Sequence, residues 1–305
     1  MKNTNFNKIF VLGAGAIGSI YGAFLSDRND VTLIGNKAHM NAVHSKGLTI
    51  SGDTNETFHL KADTEIRELP EKTLIILTTE AYDSAKAIEK TKKFLKKDTV
   101  ILILQNGIGN EETVKHAAGD KAEILRAITT MAAEFLEPGR VKFWNGETTI
   151  EQNEVTEKVA GIFSGCMLKT RLSNNIEGEV WNKLVVNCVV NPLSALFHVR
   201  NCEIVADSLE TVRREIVREC VEVGKAEGTT FPKDLEKKID KKISKYTNFS
   251  SMYQDTIKGK RTEIDFLNGK VVELGKKHHI PTPVNETLVC LMKFMEEKNG
   301  ISRKN

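Results

Sequence analysis

A glycine-rich turn near the start of the chain constrains the fold more than any other feature. The apolar run Ile9 to Leu12 predicts a β-strand, and Gly13-Ala14-Gly15-Ala16-Ile17-Gly18 follows it and opens a predicted helix from Ala16 to Leu25. In this context the glycines permit a tight turn, close approach of a pyrophosphate, and close packing of the helix, whose first N–H groups attract an anion. Residues 13–18 are therefore predicted to bind a dinucleotide. A glycine-rich turn without a ligand is the alternative.

The pattern of apolar runs extends this unit into a sheet. Further strands are predicted at Val31–Ile34, Thr73–Thr78 and Val100–Leu104. Of these, Val31–Ile34 and Thr73–Thr78 are almost continuously apolar, as in parallel strands covered on both faces. Between them, residues 47–61 alternate around a polar turn and predict a hairpin. Gly and Pro become sparse after Glu179, and apolar residues then recur at helical spacing.

The predicted fold class is therefore α/β, with an N-terminal doubly wound sheet of Rossmann type and an all-helical C-terminal domain. The polar segment Ser173–Gly178 separates the two patterns. We accordingly assign residues 1–172 to the dinucleotide-binding domain and residues 173–305 to the helical substrate and catalytic domain. A length of 305 residues suits two domains.

Composition excludes several classes of partner. With 44 Lys plus Arg against 41 Asp plus Glu, the net charge of +3 does not favour nucleic acid. The five cysteines form no close pair, which favours a reducing compartment, and no run approaches the roughly 20 apolar residues of a membrane span. The seven histidines show no metal-ligand spacing beyond the adjacent His278-His279, which favours a surface turn. We expect a cytoplasmic protein without a metal, and a homodimer is left open.

A helical segment from Trp181 to Pro192 carries the clearest candidate chemistry. Lys183, Asn187 and Asn191 are spaced by four residues and share one helix face, amid strongly apolar neighbours. A partly desolvated lysine is suited to proton transfer, and asparagine amides can bind an oxygen-rich substrate. Pro192 predicts a kink that exposes backbone carbonyls. A polar stripe facing water is the alternative, and the spacing alone does not decide between them.

The end of the second predicted strand bears on the identity of the dinucleotide. An acidic residue there favours NAD through the ribose hydroxyl, whereas a basic residue favours the 2′-phosphate of NADP. The chain has Gly35, Asn36 and Lys37 at this place. Since no acid is present and Lys37 can face a phosphate, NADPH is favoured. A surface lysine without a ligand is the alternative for Lys37.

Several sequence blocks, in order along almost the whole chain, resemble the ketopantoate reductase (2-dehydropantoate 2-reductase) family. The helix reads W-x-K-L-x-x-N-x-x-x-N-P from Trp181 to Pro192. The other blocks are Gly13–Gly18, Gln105-Asn106-Gly107-Ile108-Gly109, Pro138-Gly139, Ser250-Ser251-Met252-Tyr253-Gln254-Asp255, Arg261-Thr262-Glu263-Ile264-Asp265 and Pro281-Thr282-Pro283.

The resemblance implies an enzyme that reduces 2-dehydropantoate to pantoate with NAD(P)H, for pantothenate and coenzyme A biosynthesis. It implies that Lys183 is the proton donor and Glu263 an active-site glutamate that also contacts the cofactor. By the same resemblance the small-molecule 2-oxo acid is bound by Asn106, Asn187, Asn191 and Ser251, and the cofactor also contacts Asn106 and Ala133. The residues alone would equally suit a salt bridge for Glu263, a helix cap for Ser251 and a turn for Asn106.

Two positions depart from the family pattern. The resemblance implies basic residues near the 2′-phosphate where this chain has Asn36 and, in Thr79-Glu80-Ala81-Tyr82-Asp83, Glu80. A carboxylate repels a phosphate, so NADH is the alternative cofactor. Two further alternatives stay open: a sister reductase acting on another 2-oxo or β-keto acid, and a non-catalytic regulatory protein that binds a dinucleotide.

Overall fold

A computed structural model describes residues 6–301, and the chain forms two compact units. The first unit comprises the chain up to Gln105 together with Gly109–Ile176. The second comprises Asn106–Ile108 and the chain from Glu177 onward. The division predicted after residue 172 falls inside the strand Thr170–Ser173. The three-residue segment 106–108 therefore groups with the second unit, although the chain on both sides of it belongs to the first.

An eight-stranded sheet forms the centre of the first unit. Its strands, in spatial order, are β12 (Thr170–Ser173), β11 (Thr148–Glu151), β8 (Ala122–Thr129), β7 (Thr99–Ile103), β6 (Thr73–Leu77), β1 (Lys8–Leu12), β2 (Val31–Ile34) and β5 (Lys61–Asp63). The six strands from β8 to β5 are parallel, and β11 joins β8 in the antiparallel sense. The four strands predicted from apolar runs are confirmed as β1, β2, β6 and β7.

Alternate residues of these strands pack on opposite faces of the sheet. Ile9 and Val11 of β1 belong to one apolar core, whereas Phe10 and Leu12 belong to another. The same alternation holds in β6. Because both faces are buried, the strand sequences are continuously apolar, and the sheet is doubly wound as predicted. Its helices are α1 (Ala16–Ser26), α2 (Lys37–Lys46), α3 (Ser84–Thr91), α4 (Asn110–Ala118) and α5 (Glu154–Ser164).

A second, four-stranded sheet belongs to the same unit. Its strands, in spatial order, are β4 (Glu56–Phe58), β3 (Leu48–Gly52), β10 (Arg140–Trp144) and β9 (Ala132–Glu137). The antiparallel pair β3–β4 confirms the predicted hairpin. The strands β9 and β10 were not predicted, because most of β9 is half-buried or exposed and neither strand has a continuous apolar run.

The second unit is helical throughout the part that the structure describes, as predicted. Its helices are α6 (Ile176–Phe197), α7 (Glu210–Ala226), α8 (Leu235–Ile243), α9 (Ser251–Ile257), α10 (Asn268–Lys277) and α11 (Pro283–Lys298), and short 3-10 turns connect several of them. Residues from all six helices form one apolar core, in which the central part of α6 is buried.

Helix α6 also has the length and composition of a membrane-spanning segment, which the sequence prediction did not anticipate. It has 22 residues, and most of its apolar window is buried inside the protein. A core helix passes the same test, so the finding is weak evidence for a membrane. The segment contains no uninterrupted apolar run of the length of a membrane span, because Lys183, Asn187 and Asn191 interrupt it.

A buried histidine ties α2 to its neighbours. The amide of Gly139, in the turn between β9 and β10, donates to Nδ1 of His39 at 2.9 Å. Nε2 therefore carries the ring hydrogen and donates to Oγ of Ser19 on α1 at 3.0 Å. Burial lowers the pKa of His39 from 6.5 to about 4. The imidazole is thus a neutral structural link between two helices and the second sheet.

Because its folded-state pKa is depressed, His39 should make stability depend on pH. The unfolded chain binds a proton near pH 6.5 and the folded chain only near pH 4, so stability is lost as pH falls through this window. We expect a loss of up to about 3 kcal/mol. Denaturant unfolding between pH 7 and pH 4 should show a smaller loss in a His39→Gln variant. His44→Gln, at an exposed position on the same helix, is the matched control and should leave the slope unchanged.

Candidate functional site

The glycine turn between β1 and α1 is shaped by three different steric requirements. Gly13 has φ +116°, and a Cβ there would lie 2.4 Å from the amide nitrogen of Thr79. A Cβ on Gly18 would lie 2.1 Å from the carbonyl oxygen of Gly13. Gly15 has φ −75°, and its Cβ would meet nothing within 4 Å. The outer two glycines are therefore required by packing, whereas the space beside Gly15 is open.

The amides at the start of α1 are available to an anion. The amide of Ala14 donates to the carbonyl of Ile34 at 2.8 Å, and the amide of Ser19 donates to the carbonyl of Gly15 at 3.0 Å. Between them, helix geometry leaves the amides of residues 16–18 without acceptors inside the helix. No acidic residue lies in this first turn, and no side chain caps it. The turn therefore fits the pyrophosphate of a dinucleotide.

The strand ends beside this turn carry opposite charges. β2 and β6 flank β1 in parallel, so residues that follow these strands lie at one edge of the sheet. Asn36 caps α2 by accepting from the amide of His39 at 2.9 Å, and it is exposed, as is Lys37. Glu80 follows β6 and is also exposed. Ala133 lies in β9 and is half-buried.

Gln105, which sequence reasoning did not assign to the site, organises the loop after β6. Its Nε2 donates to the carbonyl of Thr79 and to Oγ of Ser84, both at 2.6 Å. Its own carbonyl accepts from the buried guanidinium of Arg126 at 2.9 Å. The signal available in the sequence was a polar side chain directly after a buried strand. Gln105 thus holds the loop that contains Glu80 from both sides of that residue.

In the second unit, two motif blocks that are far apart in the chain meet. Nδ2 of Asn106 donates to Oε2 of Glu263 at 3.2 Å, across 157 positions of sequence. Gly107 has φ +86°, and a Cβ there would lie 2.4 Å from the carbonyl oxygen of Phe266. Glu263 is buried. The Asn-Gly pair therefore lies directly against the segment that follows Glu263.

The polar face of α6 does not face water as a whole. Lys183 and Asn187 are half-buried, and Asn191 is buried with 5% exposure. The water-facing stripe considered from sequence alone therefore does not describe this helix. Lys183 itself is half-buried, and its placement in apolar surroundings stays a prediction.

Ser250, rather than Ser251, caps α9. Oγ of Ser250 accepts from the amide of Tyr253 at 3.0 Å and from Oγ of Ser194 on α6 at 2.7 Å. Ser251 is the first residue of the helix and is exposed. The cap considered for Ser251 thus belongs to its neighbour, and the link to Ser194 ties the start of α9 to α6.

The predicted site residues are therefore divided between the two units. Residues 13–18 and Ala133 belong to the first. Lys183, Glu263 and the four residues assigned to substrate belong to the second. Within the second unit the structure joins Asn106 to Glu263 directly and places three residues on one face of α6. No group of three or more His, Cys, Asp or Glu suited to a metal occurs among residues 6–301.

A second carboxyl group adjoins Glu263. Asp255 on α9 is half-buried, and burial together with the charge of Glu263 raises its pKa to about 7, whereas Lys260 and Lys258 act in the opposite direction. Glu296 on α11 adds a weaker repulsion, and Oγ1 of Thr262 donates to it at 2.6 Å. The vicinity of Glu263 thus holds a carboxyl group that changes charge near neutral pH.

Asp255 should reduce stability as pH rises. Its pKa is higher in the folded chain than in the unfolded chain, so ionisation favours unfolding from about pH 4 upward, and the effect levels off above about pH 7. We expect Asp255→Asn to be stabilised relative to wild type at pH 8 and much less so at pH 4.5, as measured by denaturant unfolding. Asp207→Asn, at an exposed position of the same unit, should show no such trend. An equal effect of Asp255→Asn at both pH values would contradict the assignment.

Comparison with known proteins covers nearly the whole chain. The family model described as ketopantoate reductase PanE/ApbA matches residues 9–154, and that of its C-terminal part matches residues 175–296. The 2-dehydropantoate 2-reductase of Pyrococcus horikoshii is 39% identical over 97% of this chain and 100% of its own length.

Two solved structures are similar over the same extent. The PanE/ApbA family ketopantoate reductase of Ralstonia eutropha has a TM-score of 0.89 at 31% identity, covering 96% of this chain and 99% of its own. A ternary structure of D-mandelate dehydrogenase with NADH and anilino(oxo)acetate has a TM-score of 0.89 at 28% identity, with the same coverage.

Proposed function

Since this chain belongs to the ketopantoate reductase family, we propose that it reduces 2-dehydropantoate to pantoate with a nicotinamide dinucleotide. The similarity to the Pyrococcus horikoshii enzyme, over 97% of this chain and the full length of that enzyme, carries the choice of reaction. This reaction would supply pantoate for pantothenate and coenzyme A in the cytoplasm. The proposed partners are small molecules only, with neither nucleic acid nor membrane, and a homodimer stays a prediction.

Residues 13–18 would hold the pyrophosphate of the cofactor. The open space beside Gly15 and the amides at the start of α1 support this role. Asn106, Ala133 and Glu263 would make further contacts. When bound, the reduced nicotinamide supplies a hydride to the carbonyl carbon of the substrate. NADPH is the proposed cofactor because of Lys37, and the exposed carboxylate of Glu80 keeps NADH as the alternative.

The side chains of the second unit would bind the 2-oxo acid and supply the proton. As the carbonyl is reduced, negative charge develops on its oxygen, and the ammonium of Lys183 would stabilise that charge and donate a proton to it. Asn187, Asn191 and Ser251 would form hydrogen bonds with the carboxylate and hydroxyl groups of the substrate. Glu263, held by Asn106, is the proposed active-site carboxylate.

A second candidate function is the reduction of a different 2-oxo acid. The observation that favours it is the similarity to D-mandelate dehydrogenase, whose structure contains NADH and anilino(oxo)acetate. Its TM-score equals that of the ketopantoate reductase from Ralstonia eutropha, although its sequence identity is lower. The fold is therefore compatible with either substrate, and only activity separates them.

The reaction is tested by loss of nicotinamide absorbance with 2-dehydropantoate, with NADPH and NADH measured side by side. Turnover with either cofactor is expected, and the ratio of kcat/KM values gives the preference. Turnover of an aryl 2-oxo acid with none of 2-dehydropantoate would establish the second candidate. Cofactor binding without turnover of any 2-oxo acid would favour a regulatory protein.

Lys183→Ala should abolish most of this turnover. Loss of a proton donor is expected to lower kcat by roughly 100-fold or more, while the Kd of the dinucleotide stays near that of wild type. Lys238→Ala is the matched control, since Lys238 is an exposed lysine of the same unit paired with Asp234. A Lys183→Ala variant with wild-type kcat would exclude the proposed role of Lys183.

Gly15 and Gly18 should respond differently to alanine. Gly18→Ala places a Cβ against the carbonyl of Gly13 and is expected to cost on the order of 1–3 kcal/mol of unfolding free energy. Gly15→Ala meets no protein atom and has an ordinary φ, so stability should change by roughly 0.5 kcal/mol or less.

The same Gly15→Ala variant should bind NADPH and NADH roughly tenfold more weakly, because the methyl group occupies the space proposed for the pyrophosphate. Thermal unfolding and fluorescence titration measure the two effects separately. Unchanged cofactor affinity in the stable Gly15→Ala variant would move the dinucleotide away from this turn.

A further inference from the structure

Helix α6 contains a break in its hydrogen bonding next to two of the proposed substrate-binding residues. Pro192 lies inside the helix and has no N–H, so the carbonyl of Cys188 lacks its donor four residues later. Asn187 directly precedes Cys188, and Asn191 directly precedes Pro192. The sequence predicted a kink with exposed carbonyls at this proline. In the structure the helix continues to Phe197 and Cys188 is fully buried, so its carbonyl is not exposed, while the kink itself stays a prediction.

The carbonyl left by the proline is satisfied from another helix. Nδ2 of Asn268, the first residue of α10, donates to the carbonyl oxygen of Cys188 at 3.0 Å. Asn268 is fully buried. A buried carbonyl without a donor costs about 1–3 kcal/mol, so this contact compensates directly for the missing N–H of Pro192.

The orientation of the Asn268 amide is fixed by its second contact. Nδ2 also donates to Oδ1 of Asn285 at 2.9 Å. Both acceptors are oxygens, so a rotated amide would place Oδ1 of Asn268 against two oxygens. In the present orientation that Oδ1 has no hydrogen-bond partner among residues 6–301. Both hydrogens of the Asn268 amide are therefore donated to oxygen atoms, whereas its own Oδ1 accepts no hydrogen bond from residues 6–301.

A buried carboxylate in turn orients Asn285. Oε2 of Glu219, on α7, accepts from the backbone amide of Asn285 at 2.9 Å and from its Nδ2 at 2.7 Å. Oε1 accepts from the amide of Val284 at 2.9 Å. Glu219 has 0% exposure and lies at the start of α11, where a negative charge is favourable. A directed series of hydrogen bonds therefore connects α7, α11 and α10 to the break in α6.

We propose that Asn268 is a positioning residue for the substrate-binding face of α6, with Glu219 and Asn285 as its support. Asn268 supports the backbone between Asn187 and Asn191, and so sets the spacing of the two amide side chains. Its effect on substrate binding rests on the proposed function. The effect on the geometry of α6 does not, because it concerns only the carbonyl of Cys188 and the missing N–H at position 192.

A double-mutant cycle tests this role. Pro192→Ala restores an N–H four residues after Cys188, so loss of Asn268 should matter less in that background. We expect Asn268→Ala to increase hydrogen exchange in the peptide 186–194 more than elsewhere in the second unit. We also expect KM for the 2-oxo acid to rise roughly fivefold or more, with kcat and the dinucleotide Kd within about twofold of wild type. In the Pro192→Ala background both changes should shrink by at least half.

Asn201→Ala provides a matched control for simple destabilisation. Asn201 is a buried asparagine of the same unit, outside α6. It should lower Tm without the local increase in exchange or the rise in KM. An exchange increase spread evenly over the unit would overturn the inference, as would an Asn268→Ala effect of equal size in both backgrounds or a KM rise in the control.

The double-mutant cycle still tests the proposal if the Asn268→Ala variant does not fold. Folding of the Pro192→Ala/Asn268→Ala double variant would then show the coupling, whereas failure of both variants to fold would contradict it. Hydrogen exchange needs no substrate. Absence of wild-type turnover would therefore refute the proposed function, while the exchange cycle would still decide the role of Asn268.

Discussion

The close approach of α1 to the end of β1 is the contact on which the first unit depends. Gly18 lies against the carbonyl of Gly13, and Gly13 lies against the backbone at Thr79, so neither position has room for a side chain. Thr78 completes the contact by donating from Oγ1 to the carbonyl of Gly13 at 2.8 Å. The first helix is thereby held against two neighbouring strands at once, with its N–H groups directed toward the edge where the parallel strands end.

Charge at that edge is more balanced than the family pattern implies. Oδ1 of Asn36 caps α2 by accepting from the amide of His39, so this side-chain oxygen is already hydrogen-bonded within the protein. Lys37 and Glu80 then contribute one positive and one negative side chain, both exposed, after the two strands that flank β1. At an exposed site salt screens both charges, so each contributes modestly. Selectivity between NADPH and NADH would therefore depend on a small difference between the attraction of Lys37 and the repulsion of Glu80 for a 2′-phosphate.

Local patterns predicted four strands of the large sheet that are buried on both sides. The strands β1, β2, β6 and β7 are continuously apolar because both sheet faces are covered, and this pattern is readable without tertiary information. The strands β9 and β10 escaped prediction because their half-exposed residues resemble those of a loop. Composition misleads in the opposite direction at α6, which is apolar enough for a membrane span while most of its apolar window is buried in the helical core.

The candidate site was predictable to different degrees for physical reasons. Lys183, Asn187 and Asn191 follow a helical spacing, so four-residue intervals were enough to group them. Asn106 and Glu263 are 157 positions apart, and only the family resemblance suggested them. Gln105 and Asn268 were missed because each acts on a distant backbone carbonyl, which leaves no pattern in the surrounding sequence. A helix cap was the alternative considered for Ser251, and the residue that caps α9 is its neighbour Ser250.

The short segment Asn106–Ile108 has a consequence for how this protein can be divided. It belongs to the second unit, although the chain on both sides of it belongs to the first, so the polypeptide passes between the units three times. A fragment that begins at residue 177 would lack the amide that donates to the buried Glu263. A chimera that takes its sequence from residue 177 onward from a relative would likewise pair Asn106 of this chain with the relative's glutamate. Each unit is therefore built from two separate stretches of sequence, and neither can be expressed whole as one continuous fragment of this chain.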